Sequence, residues 1–421
     1  MNFFEYRNEE LYCEDVKISS IAEQVGTPVY IYSAKTLRRH YNVFKDAFVK
    51  TKPLICYSVK ANSNIAVVSL FASMGAGADI VSGGELFRAI KAGIESKKIV
   101  YSGVGKTAEE IAYGLKEGIL MFNVESIEEL EAIDDIAGQM RVKAPVSIRV
   151  NPDIDPLTHP YISTGMKKNK FGIDVKYAKE AYNIARSKDN IKIVGIDMHI
   201  GSQLTELSPI VDALKRLYDL VSELIKAGIN IRYIDIGGGL GITYKDEETV
   251  SLDKYAKAIE TTLRNFQGKL VLEPGRLLVG NAGILVAKVL YRKSNERKRF
   301  MIVDAGMNDL IRPSFYDAYH EIVPVRKTQS KYVKQDVVGP ICESGDFFAH
   351  DRSLPLLERG QLIALMSAGA YGFSMSSNYN SRKRAAEVLV NGKEYYVIRE
   401  RETNEALIRG EKIPSFIKIR R

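Results

Sequence analysis

Four side chains that can do chemistry stand at the ends of short apolar segments of the sequence. The segment ICYSVKAN (residues 55–62) carries Lys60, and Arg149, His199 and Glu273 follow three later segments in the same way. A lysine at the end of a buried strand needs a charge partner or a chemical task, although a lone one usually reaches solvent with its ammonium group. If these four groups meet at one rim, they predict a binding or catalytic site.

Two glycine-rich turns predict a place for an anion. The first turn, IDIGGGLG (234–241), lacks the glycine spacing of a dinucleotide fingerprint and the Gly-Lys-Ser/Thr ending of a P-loop. Its backbone N–H groups can still bind phosphate, although a tight turn without a ligand would have the same sequence. The second turn, LEPGRLL (272–278), also follows an apolar segment. Two such turns, each directly after one of two consecutive apolar segments, favour a phosphate site over turns without a ligand.

The apolar segments that precede these groups recur eight times between residues 54 and 274. They are LICYSV, ADIVS, KIVYSG, LMFNV, PVSIRV, VGIDMHI, YIDIG and KLVLE. Most are followed by stretches with helical spacing, of which PIVDALKRLYDLVSELIKAG (209–228) is the clearest. Eight strand–helix units predict an α/β fold, the (β/α)8 TIM barrel, whose active site lies at the C-terminal ends of the strands. In order, those ends offer Lys60, Asp79, Tyr101, Asn123, Arg149, His199, the glycines after Asp235, and Glu273.

The pattern changes past residue 283, where strand-like segments follow one another without helices. Asn391-Gly392 between two alternating segments predicts a β-hairpin. We therefore predict a barrel over residues 32–283, a C-terminal antiparallel β domain over 284–421, and an N-terminal segment (1–31) that packs on one of them. The long stretch between the fifth and sixth strands (151–173) predicts an active-site loop with a short helix behind it.

Composition narrows the classes of function. The net charge of +8 comes from 60 basic and 52 acidic residues. The densest basic run (292–300) predicts a solvated hairpin turn, and no basic–aromatic interleaving indicates nucleic-acid binding. No apolar run is long enough to span a membrane. Three scattered cysteines predict no disulfide framework and no metal site, and favour the cytoplasm.

A phosphate site, a buried lysine and a carboxylate on one rim predict pyridoxal 5′-phosphate as the cofactor. Its aldehyde forms a Schiff base with a lysine amine, which is the role predicted for Lys60. Its ring nitrogen needs an electrostatic partner, and Glu273 is the candidate. His199 could stack on the ring and Ser202 could hydrogen-bond the phosphate, although a lone histidine at a strand end is more often structural.

The motifs taken together resemble those of the diaminopimelate decarboxylase family. The family belongs to the fold-type III pyridoxal-phosphate decarboxylases, which combine a barrel with a β domain. The matching segments are YSVKAN, GADIVSGGEL, RVNP, HPYISTGMKKNKFGI, HIGSQ, IGGGLG, EPGR, RPSFY (312–316), GPICESGD (339–346) and AYG (370–372). Single motifs are shared with ornithine and arginine decarboxylases, but the set as a whole is specific.

The resemblance implies both a cofactor site and a substrate site. The implied cofactor-binding residues are Lys60, Asp79, Arg149, His199, Ser202, Gly238, Gly239, Glu273, Gly275, Arg276 and Tyr371. The implied substrate-binding residues are Arg276, Arg312, Tyr316, Glu343 and Tyr371. Arg276, Arg312 and Tyr316 would bind the substrate carboxylate that does not react, a task that suits planar, bidentate arginine. Without the resemblance, both arginines could equally be surface ion pairs.

The resemblance further implies a reaction and an assembly. Meso-2,6-diaminopimelate would lose CO₂ from its D-configured centre and give L-lysine. Lys60, His199 and Cys342 would be the catalytic residues, with Cys342 the first candidate for the proton donor and Lys60 the second. Cys342 and Glu343 would come from the second subunit of a homodimer, although an isolated cysteine is more often an inert buried thiol.

Three alternatives remain open at the level of the sequence. The nearest is a decarboxylase of the same fold acting on ornithine, arginine or carboxynorspermidine, but ornithine-type enzymes carry an aspartate where this chain has Glu343. An activity like that of alanine racemase disagrees with the EPGR and CESGD motifs. The third alternative is a non-catalytic regulator or degenerate homologue. Regulators of this type are single barrels, and degenerate homologues typically lack the lysine or the glycine turns.

Overall fold

The chain divides into two compact units in its computed structural model, which describes residues 2–155, 164–165 and 169–417. The first unit contains the described residues of 1–3, 33–283 and 367–374, and the second contains those of 4–32, 284–366 and 375–421. The chain begins with the elements β1 (Phe4–Arg7), β2 (Glu10–Cys13), β3 (Val16–Lys17), α1 (Ile18–Val25) and β4 (Val29–Ser33). Residues 4–32 therefore belong to the second unit.

The first unit is built from alternating helices and parallel strands. Its strands are β5 (Leu54–Ser58), β6 (Gly77–Ile80), β7 (Ile99–Tyr101), β8 (Met121–Val124), β9 (Ala144–Asn151), β10 (Ile173–Asp174), β11 (Ile191–Asp197), β12 (Tyr233–Asp235) and β13 (Lys269–Leu272). Its helices are α2 (Ala34–Ala47), α3 (Ile65–Ser73), α4 (Gly83–Lys91), α5 (Ala108–Glu117), α6 (Ile127–Met140), α7 (Ala178–Ser187), α8 (Ser208–Lys226), α9 (Leu252–Thr262) and α10 (Arg276–Val279).

The strands of the first unit close into a barrel. Parallel pairing runs in the order β5-β6-β7-β8-β9-β11-β12-β13, and β13 pairs back with β5. The two-residue strand β10 pairs with β9 beside this circuit. All eight predicted strands are present, so the predicted barrel is confirmed. Residues 156–163 and 166–168 of the predicted active-site loop (151–173) lie outside the described residues, and helix α7 follows the loop.

Local sequence signals explain where the helices begin, end and pack. Helix α5 starts at a capping box in which Thr107 and Glu110 satisfy each other's backbone N–H groups, and it stops at Gly118, whose φ is 65°. Helix α8 packs through a stripe of apolar residues spaced three and four apart. The stripe contains Ile210, Leu214, Leu217, Val221 and Leu224, all at most 5% exposed. These helices cover the barrel and fix the ends of its strands.

The second unit is mainly a β-sheet. Its later elements are β14 (Gly283–Ser294), β15 (Arg299–Val303), α11 (Arg312–Tyr316), β16 (Ile322–Pro324), β17 (Tyr332–Val338), β18 (Phe347–Pro355), β19 (Leu362–Leu365), β20 (Ala386–Asn391), β21 (Glu394–Arg399) and α12 (Asn404–Leu407). The strand order is β18-β17-β15-β14-β4-β20-β21, with β19 on β14 and β16 on β19. The predicted hairpins at 292–300 and at Asn391-Gly392 are confirmed.

Two details of the second unit differ from the sequence prediction. Strands β15 and β17 pair in parallel, so the sheet is mixed rather than purely antiparallel. A parallel pair is possible because the chain crosses over through α11 and β16 before it returns to the sheet. The short helix α11 also interrupts a stretch for which the sequence predicts strands alone. In the part of the chain that the structure describes, no helix has the length and apolar character needed to cross a bilayer.

Candidate active site

Lys60 stands just past the end of β5, where the strand turns into one 3₁₀ turn, Val59–Ala61. Its Nζ lies 2.8 Å from Oδ2 of the fully buried Asp79, and the lysine side chain is 36% exposed. Burial acts to lower the pKa of Lys60, but the attraction of Asp79 and Glu273 outweighs burial and raises it above its ordinary value. The amine is therefore held as an ammonium group that remains open to a ligand.

Asp235 and Glu273 form a pair of buried carboxyl groups beside Lys60. Asp235 ends β12 and its Oδ1 accepts a hydrogen bond from the N–H of Gly237 at 3.0 Å, while Glu273 follows β13 directly. Burial raises the pKa of Asp235 to about 6, and burial together with Asp235 raises the pKa of Glu273 well above its usual range. Glu273 therefore holds a proton more tightly than an exposed glutamate does. Its Oε1 is buried and accepts no hydrogen bond from the described residues.

The glycine turn after β12 can form only without side chains. Gly237 and Gly239 have φ values of 66° and 100°, a backbone region that favours glycine. A Cβ atom at Gly238 would overlap the carbonyl oxygen of Glu273, and one at Gly239 would overlap that of Gly201. The turn therefore presents bare backbone at the rim of the barrel, next to the carboxyl pair.

His199, two residues beyond β11, is a neutral imidazole at this rim. Burial and the nearby charges of Arg149 and Lys60 lower the pKa of His199 well below its usual value. Its Nδ1 accepts a hydrogen bond from the N–H of Gly238 at 3.3 Å, so Nε2 carries the proton. Arg149 in β9 is held by Glu125, with 2.8 Å between Nη1 and Oε1, and its Nε lies 3.8 Å from Asp197 Oδ2.

Arg276 begins the short helix α10, directly after Gly275. Its Nη2 lies 3.0 Å from Ser202 Oγ and its Nη1 lies 2.8 Å from the Tyr244 hydroxyl. The guanidinium carbon is 4.9 Å from the ring centroid of Tyr371. Tyr371 has a φ of 56°, and its N–H donates to the carbonyl of Ala61 at 2.8 Å. This left-handed backbone fixes the aromatic ring against the arginine.

The remaining predicted residues belong to the second unit. Arg312 is buried at the start of α11, and its Nη1 lies 2.9 Å from Nε2 of His320. His320 Nδ1 lies 2.8 Å from the carbonyl of Met366 and donates to it, so Nε2 accepts from Arg312. Cys342 is an exposed thiol in the loop after β17, and its backbone N–H donates to Asn380 Oδ1 at 2.8 Å.

The structure brings most of the predicted site together in the first unit. These residues are Lys60, Asp79, Arg149, His199, Ser202, Gly238, Gly239, Glu273, Gly275, Arg276 and Tyr371. The second unit holds Arg312, Tyr316, Cys342 and Glu343. Sequence reasoning missed Glu125, Asp197 and Tyr244 as supporting residues. Asp197 could have been found because it lies two positions before His199, but nothing in the sequence relates Tyr244 to Arg276.

Comparisons with known proteins match the chain over nearly its whole length. Residues 34–280 match the family model "Pyridoxal-dependent decarboxylase, pyridoxal binding domain". Diaminopimelate decarboxylase of Haemophilus influenzae is 53% identical over 97% of this chain and 98% of its own. Among solved structures, the diaminopimelate decarboxylase of Helicobacter pylori complexed with L-lysine is 46% identical and has a TM-score of 0.90, covering 93% and 98% of the two chains. That of M. jannaschii in complex with L-lysine has a TM-score of 0.94 at 40% identity, covering 98% of each.

Proposed function

Since the chain belongs to the diaminopimelate decarboxylase family of pyridoxal-dependent decarboxylases, we propose a role in that chemistry for each residue of the site. The protein is an enzyme that removes CO₂ from the D-configured centre of meso-2,6-diaminopimelate and forms L-lysine, the last step of lysine biosynthesis. The observation that carries this function is the barrel rim, where Lys60, Glu273 and the bare glycine turn lie within one unit. Equal release of CO₂ and L-lysine from the meso substrate tests it. CO₂ without lysine, or no CO₂, would contradict it.

Three features of the rim fit pyridoxal phosphate, the cofactor of this family. The backbone of residues 237–239 suits phosphate oxygens, because it follows a strand at the barrel rim and carries no side chain that could cover a ligand. The buried Oε1 of Glu273 suits the N–H of a protonated pyridine ring. The neutral imidazole of His199 offers a flat, uncharged face for stacking.

Different residues at the rim would bind different parts of the cofactor. When bound, pyridoxal phosphate supplies an aldehyde that reacts with amines and a ring that accepts the electron pair of the bond to CO₂. We assign Lys60 to the aldehyde, with Asp79 as its counter-ion at 2.8 Å. We assign Glu273 to the ring nitrogen and His199 to the face of the ring. The phosphate is assigned to Ser202, Gly238, Gly239, Gly275 and Arg276.

Gly238→Ala should weaken cofactor binding by about a hundredfold, because the added methyl group overlaps the Glu273 carbonyl and must displace the turn. Titration of the cofactor-free protein with pyridoxal phosphate, followed by absorbance, measures the loss. Gly105→Ala is the matched control, since a Cβ there meets no atom within 4 Å. Equal affinity of the two variants would show that the turn does not bind the phosphate.

Protonation completes the reaction. A proton must return to the carbon that has lost CO₂, and we assign its delivery to the Cys342 thiol, with the Lys60 ammonium as the second candidate. The raised pKa of Lys60 keeps its proton on the amine until another group takes it. Cys342 would regain its proton from solvent once the product has left the site.

The unreacting end of the substrate carries a second carboxylate, for which we propose Arg276, Arg312 and Tyr316. We propose Glu343 and Tyr371 as further substrate-binding residues. Arg312 is buried and its orientation is set by His320, so it is a preorganised donor for a carboxylate. A substrate without that carboxylate would lose this charge-assisted interaction with Arg312. Discrimination against ornithine and lysine follows from this cost.

Arg312→Ala should raise the KM for meso-diaminopimelate by about a hundredfold or more, because it removes a charge-assisted donor to the far carboxylate. The affinity for pyridoxal phosphate should stay within about twofold. Steady-state kinetics and a cofactor titration separate the two effects. Arg326→Ala, which removes an arginine whose side chain is 75% exposed in the same unit, serves as the control. Equal losses of substrate and cofactor affinity would show that Arg312 has been assigned to the wrong ligand.

We propose a homodimer in which each site takes Cys342 and Glu343 from the partner subunit. The support is that the Cys342 thiol is exposed within one chain, whereas a proton donor in a decarboxylase needs a site closed to water. We also propose a cytoplasmic location. The free cysteines Cys13, Cys56 and Cys342 suit a reducing compartment.

Mixing inactive Lys60→Ala and Cys342→Ala proteins should restore activity. In a twofold-symmetric heterodimer one site receives both wild-type residues, so random exchange gives roughly a quarter of the wild-type rate. The rate is measured after the subunits have been dissociated and reassociated together. Each variant mixed with wild-type protein controls for the exchange itself. Heterodimers that form, as seen by mass spectrometry, but stay inactive would rule out the shared site.

A further inference from the structure

Four carboxyl groups are buried at the C-terminal end of the barrel interior. They are Asp79, Asp197, Asp235 and Glu273, each at most 5% exposed. Lys60 pairs with the first of them at 2.8 Å, and Arg149 approaches the second at 3.8 Å. Carboxylates this close together in a low-dielectric interior cannot all be ionised without further cations. The charge balance of the cluster is therefore incomplete.

The excess negative charge of the cluster lies on Asp235 and Glu273. In the described part of the chain neither forms an ion pair with a lysine or arginine. They sit at the ends of neighbouring parallel strands, since Asp235 lies opposite Val271 in the pairing of β12 with β13. Asp235 Oδ1 accepts from the Gly237 N–H at 3.0 Å, and its Oδ2 lies 3.5 Å from Asn123 Nδ2. The carboxyl group of Asp235 also lies within hydrogen-bonding reach of that of Glu273.

We propose that Asp235 is a positioning residue that shares one proton with Glu273 and so keeps a negative charge ready for the cationic ring of the cofactor. The inference rests on the proposed assignment of Glu273 to the ring nitrogen. One proton between two carboxyl groups leaves the pair with a single negative charge. In the cofactor-free protein that charge has no ion pair among the described residues, only the longer-range attraction of Lys60, and it is balanced when a protonated ring binds. Asp235 thus lowers the stability of the free barrel and raises its affinity for the cofactor.

The surroundings of the pair give the sign of its pH dependence. The titratable groups that face it are Asp79, Asp197, Lys60, Arg149, Cys56 and Tyr255. Because burial raises the pKa of Asp235 to about 6, the folded state binds this proton more tightly than the unfolded chain does. The cofactor-free protein should therefore lose stability as the pH rises from about 4 to about 7, through the interval between the unfolded and the folded pKa of Asp235.

Asp235→Asn tests the proposal with little change of shape. The amide oxygen can still accept from Gly237, and a flip of Asn123 can offer its Oδ1, which has no hydrogen-bond partner among the described residues, to the new amide group. Without its cofactor this variant should unfold at a higher temperature than wild type, with a flatter dependence on pH. Its dissociation constant for pyridoxal phosphate should rise about tenfold or more. Differential scanning fluorimetry and absorbance titration measure the two effects.

Two further variants make the result decisive. Glu129→Gln alters a carboxyl group that is 9% exposed and paired with Lys106 at 2.7 Å, so it should lower the melting temperature and leave cofactor affinity unchanged. Glu273→Gln should weaken cofactor binding like Asp235→Asn. If Glu273→Gln weakens binding and Asp235→Asn does not, the inference about Asp235 fails while the proposed role of Glu273 stands. If neither weakens binding, both fail. A lower melting temperature for Asp235→Asn would also overturn the inference, because a merely structural aspartate gives that result.

Discussion

Replacement of Lys60 by arginine should abolish the visible absorbance that develops when pyridoxal phosphate is added, and should reduce decarboxylation by roughly a thousandfold or more. A guanidinium group cannot form the covalent bond to the aldehyde. It can still pair with Asp79, which lies 2.8 Å from the lysine amine, so the charge balance of the rim is kept. Absorbance spectra and CO₂ release of the same preparation measure both effects.

The Lys60 result has two internal checks. Lys60→Ala should lose the absorbance as well, but it also leaves Asp79 without its cation and should be the less stable of the two variants. Borohydride reduction of the wild-type holoenzyme, followed by peptide mapping, should place the cofactor on Lys60. A yellow protein that survives the arginine substitution, or a label on another lysine, would show that Lys60 is not the attachment site.

Replacement of Glu273 by glutamine should lower kcat by about a hundred- to a thousandfold, because an amide cannot keep a proton on the ring nitrogen and the ring then accepts electrons poorly. The side chain keeps its length and its buried position, so the fold should survive. Cofactor affinity should fall by only about tenfold, since the phosphate and aldehyde ends are held by other residues. The measurement is kcat at saturating cofactor.

Glu129→Gln controls for the loss of a largely buried carboxyl group, and its kcat should stay within about threefold of wild type. If Glu273→Gln also stayed within that range, the assignment of Glu273 to the ring nitrogen would be untenable. Such a result would leave the roles of Lys60 and the glycine turn untouched.

The barrel could be predicted from the sequence because its signals are local. Each strand is a short apolar segment, and the groups that can do chemistry follow those segments at once, as Lys60 and Glu273 do. Parallel strands bring their C-terminal ends to one rim, so position in the sequence translates directly into position at the site. For this reason, residues far apart in the chain could be assigned to one site from their places at the strand ends.

Features that depend on long-range contacts could not be predicted. The salt bridge of Glu125 with Arg149 joins two strand ends, and the pairing of Asp235 with Glu273 depends on which strands are neighbours. The alternation of apolar and polar residues in β15 and β17 does not show that these two strands pair in parallel. The sequence also gives no sign of the left-handed backbone of Tyr371, because tyrosine rarely adopts this conformation without support from the surrounding structure.

The most direct test of the account is CO₂ release by the purified protein with added pyridoxal phosphate. Meso-diaminopimelate, its LL isomer, ornithine, arginine and lysine are offered in separate reactions. We expect turnover of the meso isomer alone, because only that substrate combines a D-configured centre with a second carboxylate for Arg312. Turnover of ornithine or arginine, with the meso isomer left unreacted, would contradict the assigned substrate and the roles given to Arg312 and Glu343.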